Sequence, residues 1–386
     1  MKALMVLQTD FPPDIRLEKE IGALNAAGIE VSLLCRYQAD RAPDFDIEVE
    51  ILPMVKGRQM LNRLLTIPLF FNPFWLVKIL GVIKKQNIDL LHVHDLPLAP
   101  LVIFIARLLG KPVVYDMHEH YPAMLRETTK GKSPLKYYVT RNAWMAERLD
   151  NWSIRRANTL LYTASEFTEL LADKVSPDQT CVLVSNTEEI PALHQSEVAG
   201  KTHQPIRLCF VGGYGRSRPL IPLVKAIHSL RGQVAFHLEI VGKGSDEDRI
   251  REIIRLNELE NQVSLIPWVP LESVWERIQA ADLCLLPQIK NEHSDHVLPH
   301  KIFQYLKYAK PVLAGNCRPL MRIVNGGDCG FVADFLKMEE LQEALLRIAD
   351  ANLPQLGRNG YEHIAELYSW DKDAKRLVKA YRDLVR

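Results

Sequence analysis

The six cysteines of this 386-residue chain form no C-x-x-C pair and mostly sit inside apolar runs such as Leu208-Cys209-Phe210 and Leu283-Cys284-Leu285. A disulfide scaffold is excluded, and reduced core thiols in a cytoplasmic protein are expected. Net charge is also lacking. With Lys+Arg 48 against Asp+Glu 47 the formal charge is +1, which excludes a protein whose main business is coating nucleic acid. The opening apolar run, Ala3–Leu7, meets Asp10 and Pro12-Pro13 at once, so it is too short for a secretory signal and has no small-residue cleavage site. No repeat shorter than a domain is visible. What is present, 47% hydrophobic and 25% charged residues, is the composition of an ordinary globular protein long enough for two domains, three at most.

Short apolar runs alternate with helix-period segments from the start. Ala3–Leu7 is followed by a helix with Leu17, Ile21 and Leu24 on one face, a stop at Gly28, and Ile29–Cys35, which is a βαβ unit. Further strands are expected at Asp89–His94, Val113–Asp116, Leu160–Thr163 and Val182–Val184. The fold class is therefore α/β, with a doubly wound parallel sheet in the first half. Periodicity fails between about Thr187 and Pro205. It restarts with strands expected at Arg207–Val211, His237–Val241, Val263–Ile266, Leu283–Leu286 and Val312–Ala314. The expected organisation is a first Rossmann-like domain over 1–190, a linker over 191–205 and a second Rossmann-like domain over 206–370, with helix 371–386 a candidate to return to the first.

Open parallel sheets bind ligands at the carboxyl ends of their strands. In the second half the first such exit is Val211-Gly212-Gly213-Tyr214-Gly215-Arg216-Ser217-Arg218, where glycines admit close backbone approach and two arginines can clamp a phosphate. Another is Val241-Gly242-Lys243-Gly244-Ser245. Neither is a G-x-G-x-x-G fingerprint, and glycine-rich strand exits also occur without phosphate. In Leu298-Pro299-His300-Lys301-Ile302-Phe303-Gln304, Pro299 is expected as the first residue of a helix whose free amides face the ligand, with Lys301 in its first turn and Gln304 on the same face. A solvated lysine and a surface glutamine are the plain alternative.

In the first half, the exit Asp10–Arg16 carries Asp10, Asp14 and Arg16 and could recognise an acceptor; Asp14 as a helix cap and Arg16 as a solvated residue explain it equally. Later exits give His92-Val93-His94-Asp95 and Asp116-Met117-His118-Glu119-His120. Their spacing is not H-E-x-x-H and no thiolate accompanies them, so no metal is expected. Residues 51–88 hold Lys56, Arg58, Arg63, Lys78, Lys84 and Lys85, no acidic residue, and Phe70, Phe71, Phe74 and Trp75. Pro68, Asn72, Pro73 and Lys78 interrupt the roughly 20 apolar residues a membrane span needs, so the segment is expected to be amphipathic. It is a candidate to dock on an anionic bilayer, against the alternative of a core-facing helix pair.

Taken in order, Phe11-Pro12-Pro13-Asp14-Ile15-Arg16, Tyr115-Asp116-Met117-His118-Glu119-His120-Tyr121-Pro122, Phe210-Val211-Gly212-Gly213, Ile240-Val241-Gly242-Lys243-Gly244, Pro299–Tyr305, Lys310-Pro311-Val312 and Tyr368-Ser369-Trp370 resemble glycosyltransferase family four over essentially the whole chain. The resemblance implies a GT-B fold of two facing Rossmann-like domains, and transfer of a sugar from a nucleotide-sugar to an acceptor hydroxyl with retention and without a metal or other cofactor. It places Gly212, Gly213, Arg216, Arg218, Gly242, Lys243, Leu298, Pro299, Lys301 and Gln304 at the donor, with the arginines or Lys301 neutralising the diphosphate. Asp10, Asp14, Arg16, His94 and Asp95 would serve the acceptor. His118 would touch the donor sugar, with Glu119 a fallback catalytic group. Two positions depart from the family pattern: the usual Glu-x7-Glu reads His296-x7-Gln304, and Gly213 stands where a phosphate-binding arginine is usual.

The expected protein is a cytoplasmic glycosyltransferase, peripheral on the inner face of the plasma membrane if 51–88 docks there, acting on a lipid-linked or polysaccharide acceptor. The alternatives are a nucleotide-sugar epimerase of the same fold and a catalytically inactive scaffold; no nucleic-acid partner is expected.

Overall fold

The computed structural model describes residues 1–12, 14–37, 46–52, 72–130, 142–185, 187–192 and 202–384. Its contacts divide the chain into two units, Met1–Asn186 with Asp371–Arg386, and Thr187–Trp370.

The first unit is built on a seven-stranded parallel sheet. In chain order its strands are β1 (Lys2–Val6), β2 (Glu30–Cys35), β3 (Glu48–Ile51), β4 (Leu90–His94), β5 (Val113–Met117), β6 (Thr159–Tyr162) and β7 (Thr180–Leu183); across the sheet they run β3-β2-β1-β4-β5-β6-β7. The order reverses at β1, so the exits of β1 and β4 lie side by side where the sheet's ligand crevice belongs. Central strands are apolar on both faces because helices cover both. Buried polar side chains interrupt this pattern, among them Asp116 of β5 and, on one face of β4, His92 and His94, which are 0% and 1% exposed. Helix α1 (Ile15–Ala26) starts where Asp14 accepts from the Leu17 amide at 3.2 Å, and it buries Leu17, Glu20, Ile21 and Leu24. The terminal helix, Trp370–Asp383, is held to this unit by Asp373, which accepts from the Ser185 amide at 3.0 Å, and by buried Leu377 and Tyr381.

The second unit has β8 (Ile206–Val211), β9 (Phe236–Val241), β10 (Val263–Ile266), β11 (Leu283–Leu286), β12 (Val312–Gly315) and β13 (Gly330–Ala333), ordered β10-β9-β8-β11-β12-β13 and all parallel. Leu208, Phe210, Leu238, Ile240, Leu285 and Leu313 belong to its core. Strands β3 and β13, each four residues long and at a sheet edge, are not among the strands expected from the sequence.

Three sequence expectations change. Residues 193–201 of the expected linker lie outside the described residues, but Glu188, expected at the end of the first domain, is tied into the second unit: its carboxylate accepts from His300 Nε2 at 2.8 Å and from Lys307 Nζ at 3.0 Å. Five cysteines are buried, whereas Cys181 is exposed on β7 at the sheet edge. In the basic segment, 53–71 lies outside the described residues, Ile51 ends β3, and a helix, α2 (Pro73–Gln86), turns Trp75 into the core. Lys78 and Lys85 reach Glu50 of β3 at 2.7 and 2.9 Å, so part of the charge excess is neutralised by a strand just before it in sequence. Among the described residues no helix is long and apolar enough to cross a membrane.

One buried carboxyl makes the first unit's stability pH-dependent. Asp150 accepts from the Tyr115 hydroxyl at 2.7 Å, and burial pushes its pKa up to about 6 despite that bond. A raised carboxyl pKa means that the folded state holds the proton more tightly, so stability falls as pH rises from about 4 to about 6. Asp150→Asn keeps an acceptor for Tyr115 and removes the buried charge. It is expected to raise the melting temperature at pH 7.5 by a few degrees, with the gain vanishing near pH 4; a lower melting temperature at pH 7.5 overturns this.

Candidate functional site

The second unit's crevice is shaped by missing side chains. Gly212 leaves β8 at φ +138°, and a Cβ there would stand 2.0 Å from Lys301 Nζ; Gly242 leaves β9 at φ +135°, and a Cβ there would stand 2.2 Å from the Gly212 carbonyl oxygen. Both positions need glycine for backbone geometry and for space. The Gly212 amide donates to Val241 O at 2.8 Å, and the Gly242 amide to Ile266 O at 2.9 Å, so the three strand ends form a stepped backbone ledge.

Lys301 lies against this ledge. Its Nζ donates to Val211 O at 2.6 Å and sits 5.9 Å from the Phe210 ring centroid, and among the described residues no carboxylate pairs with it. Burial first, and the Arg218 charge second, push its pKa down to about 8. Arg218 is exposed, and its guanidinium reaches the Gly213 carbonyl at 3.4 Å. Lys301 and Arg218 thus bring two cations to the exit of β8, and among the described residues no carboxylate pairs with Lys301.

The expected helix start is corrected. The helix spans Lys301–Leu306 with His300 as its N-cap, so Pro299 precedes it and, as a proline, offers no N–H. The amides of Ile302, Phe303 and Gln304 already donate to Pro299 and His300 carbonyls. Gln304 is 8% exposed and Leu298 4%, whereas Arg216 and Lys243 are exposed. His296, at the family's first glutamate position, accepts from Arg318 Nη2 at 2.9 Å.

In the first unit the structure gathers His94, Asp95, His118 and Arg16 from the expected set, and adds Glu20, His92, Asp116 and Tyr381. Strand register pairs His94 with Asp116. Asp116 Oδ2 accepts from His118 Nε2 at 2.5 Å and from His94 Nδ1 at 3.0 Å, and His92 Nε2 lies 3.6 Å away. The other His92 nitrogen pairs with the Tyr381 hydroxyl of the terminal helix. Arg16 Nε is 3.4 Å from Glu20 Oε1. Burial opposes the Asp116 charge, but the facing imidazoles hold its carboxyl well below the usual range. For His118, burial and Arg16 lower the pKa, and Asp116 with Asp95 outweigh them to raise it to about 10. His92 and His94 are pushed down by burial and stay neutral.

Three of the residues expected at the acceptor have partners within this unit. His94 is sealed in the network at 1% exposure, Asp14 caps α1, and Asp10 is held by Arg36 through contacts of 2.8 and 3.1 Å. Glu119 is half-buried beside His118. Glu20, His92, His94 and Asp116 present donor atoms within 4.8 Å of one another. Within this group Asp116 Oδ2 already accepts from two imidazole nitrogens, and the Arg16 guanidinium lies beside Glu20. Glu20 had a visible signal, an acid on the apolar face of an amphipathic helix; Tyr381 had none.

Two Rossmann-like units, built on parallel sheets of seven and six strands, are the architecture of the GT-B fold. The profile described as "Glycosyl transferase 4-like domain" matches residues 15–187, and that described as "Glycosyl transferases group 1" matches 193–363. The chain belongs to the family-four-like glycosyltransferases. The curated relative AmsK, the amylovoran biosynthesis glycosyltransferase of Erwinia amylovora, is 24% identical over 149 residues; the match spans 38% of this chain and 37% of that protein's length. Among solved structures, sucrose-phosphate synthase from Thermosynechococcus elongatus aligns at TM-score 0.72 with 16% identity, covering 100% of this chain and 99% of that one. HepE of Anabaena, solved in complex with UDP, aligns at 0.69 with 16% identity over 99% of this chain and 100% of that one.

Proposed function

We propose that the chain moves a sugar from a nucleotide-sugar donor to a hydroxyl of a lipid-linked or polysaccharide acceptor, retaining anomeric configuration and using no metal. The observation that carries this reading is Lys301 held in the glycine-lined exit of β8, beside Arg218 and without a carboxylate, where a diphosphate would supply the missing charge. Membership of the glycosyltransferase family and the UDP complex of HepE support the donor class, and the amylovoran biosynthesis named for AmsK supports a biosynthetic acceptor.

In this reading the ledge at Gly212 and Gly242 admits the diphosphate, Lys301 and Arg218 neutralise its charge as the sugar bond breaks, and Gln304 serves the ribose as a neutral hydrogen-bonding group. His118 contacts the donor sugar. The departing phosphate itself takes the acceptor proton, so no protein nucleophile is assigned.

A thermal-shift screen over UDP-, GDP-, ADP- and dTDP-sugars tests the proposal, because a specific donor raises the melting temperature by mass action. Stabilisation by one donor, followed by release of its nucleoside diphosphate with an acceptor, is the expected result; no response to any of them rejects it. Peripheral attachment to the cytoplasmic face is the second part of the reading. Exposed Phe74, Val77 and Leu80 on α2 support it, with Lys84 on the same helix. Co-sedimentation with anionic vesicles at low salt is expected, and its absence removes the membrane role.

A further inference from the structure

His118 is two residues beyond Asp116 on the same strand course, so both side chains leave the same face of the sheet. Asp95 follows β4 in the left-handed region, at φ +61°, a conformation aspartate tolerates better than most residues. That turn brings its carboxylate to His118: Oδ1 accepts from the His118 backbone N–H at 3.2 Å, and Oδ2 lies 3.6 Å from Nδ1. The two ring nitrogens are therefore unequal. Nε2 is committed to Asp116 at 2.5 Å, whereas Nδ1 faces a carboxylate from beyond hydrogen-bond distance.

We propose that Asp116 is a positioning residue that keeps His118 a doubly protonated imidazolium, its Nε2–H committed to Asp116 and its Nδ1–H left to donate to the substrate. This rests on the assignment of His118 to the donor sugar. Without a lone pair the ring is not a general base; it is a charged donor, stronger than a neutral imidazole. Every neighbouring element contributes to the balance. Strand β4 and its exit bring neutral His92, neutral His94 and anionic Asp95; α1 and its cap bring Arg16, Glu20 and Asp14; the terminal helix brings Tyr381; and Thr163 after β6 donates to the His118 carbonyl at 3.5 Å. Burial first, and Arg16 second, work against the imidazolium, and Asp116 with Asp95 outweighs them.

Histidine-labelled protein reports the charge directly through its imidazole 15N shifts, with the His118 signals identified by their loss in His118→Ala. At pH 8 wild-type His118 is expected to carry both protons, and in Asp116→Asn to have lost one. Turnover at saturating donor is expected to be flat from pH 6 to pH 8 in the wild type. In Asp116→Asn it should fall about 30-fold by pH 8, as for an imidazole with an ordinary pKa of about 6.5. Asp116→Glu should restore the flat profile even where it does not restore the full rate. A neutral wild-type His118 at pH 8, or an Asp116→Asn profile parallel to the wild type, overturns the proposal. Should Asp116→Asn not fold, the wild-type spectrum decides alone. It also decides if no nucleotide-sugar is turned over, an outcome that removes the proposed function and not the charge state.

Discussion

Lys301→Met is expected to weaken donor binding by about 2–3 kcal/mol, roughly 30- to 150-fold in Kd, without lowering the melting temperature. The two effects diverge because the lysine serves the ligand at the expense of the empty fold. Its amine is held against Val211 O at 2.6 Å with its pKa pushed down to about 8, first by burial and then by Arg218. A depressed lysine pKa means that the unfolded chain holds the proton more tightly. Wild-type stability should therefore rise between about pH 8 and pH 10.5, and the methionine variant should lack that rise. Diphosphate affinity follows the opposite sign, since it needs the ammonium form and should decline in the wild type above about pH 8. Arg218→Ala should lose less affinity, because the guanidinium is exposed and screened by water. Calorimetric titration with the donor found by the screen checks both variants. Unchanged affinity in both would mean that the ledge of the second unit does not hold a diphosphate.

The two ledge glycines should fail in different ways when changed to alanine. At Gly242 the new Cβ would meet the Gly212 carbonyl oxygen at 2.2 Å, a backbone atom that cannot move without parting β8 from β9, and φ is +135°. A loss of about 3 kcal/mol or more is expected, seen as a drop in melting temperature of roughly 6–12 °C. At Gly212 the clash is with Lys301 Nζ, the far end of a flexible side chain, at 2.0 Å. Gly212→Ala should therefore cost only backbone strain of about 1–3 kcal/mol, while expelling the amine and reproducing the affinity loss of Lys301→Met. Thermal melts and donor titrations on the pair separate fold from site. A Gly212→Ala variant that binds donor like the wild type would show that Lys301 is not the contact.

Sequence periodicity alone was enough to recover the α/β class and the parallel sheets, because central strands such as Ala3–Val6 and Leu208–Val211 must be apolar on both faces when helices cover both. Local spacing likewise located the glycine exits, since a backbone that turns at positive φ leaves its mark in residue type. Edge strands β3 and β13 were not read, and the helix expected from Pro299 begins two residues later, at Lys301, with its first turn bonded to Pro299 and His300. What only the tertiary structure decided is which polar groups meet. Asp14 and Asp116 are both acids near strand ends, yet the first caps a helix and the second gathers histidines from two strands. Lys78 and Lys85 belonged to a run without acids until β3 brought Glu50 against them. Tyr381 reaches His92 across 289 residues. Charge and proton placement depend on the nearest few ångströms, and in a parallel sheet those neighbours come from strands and helices far apart in the chain.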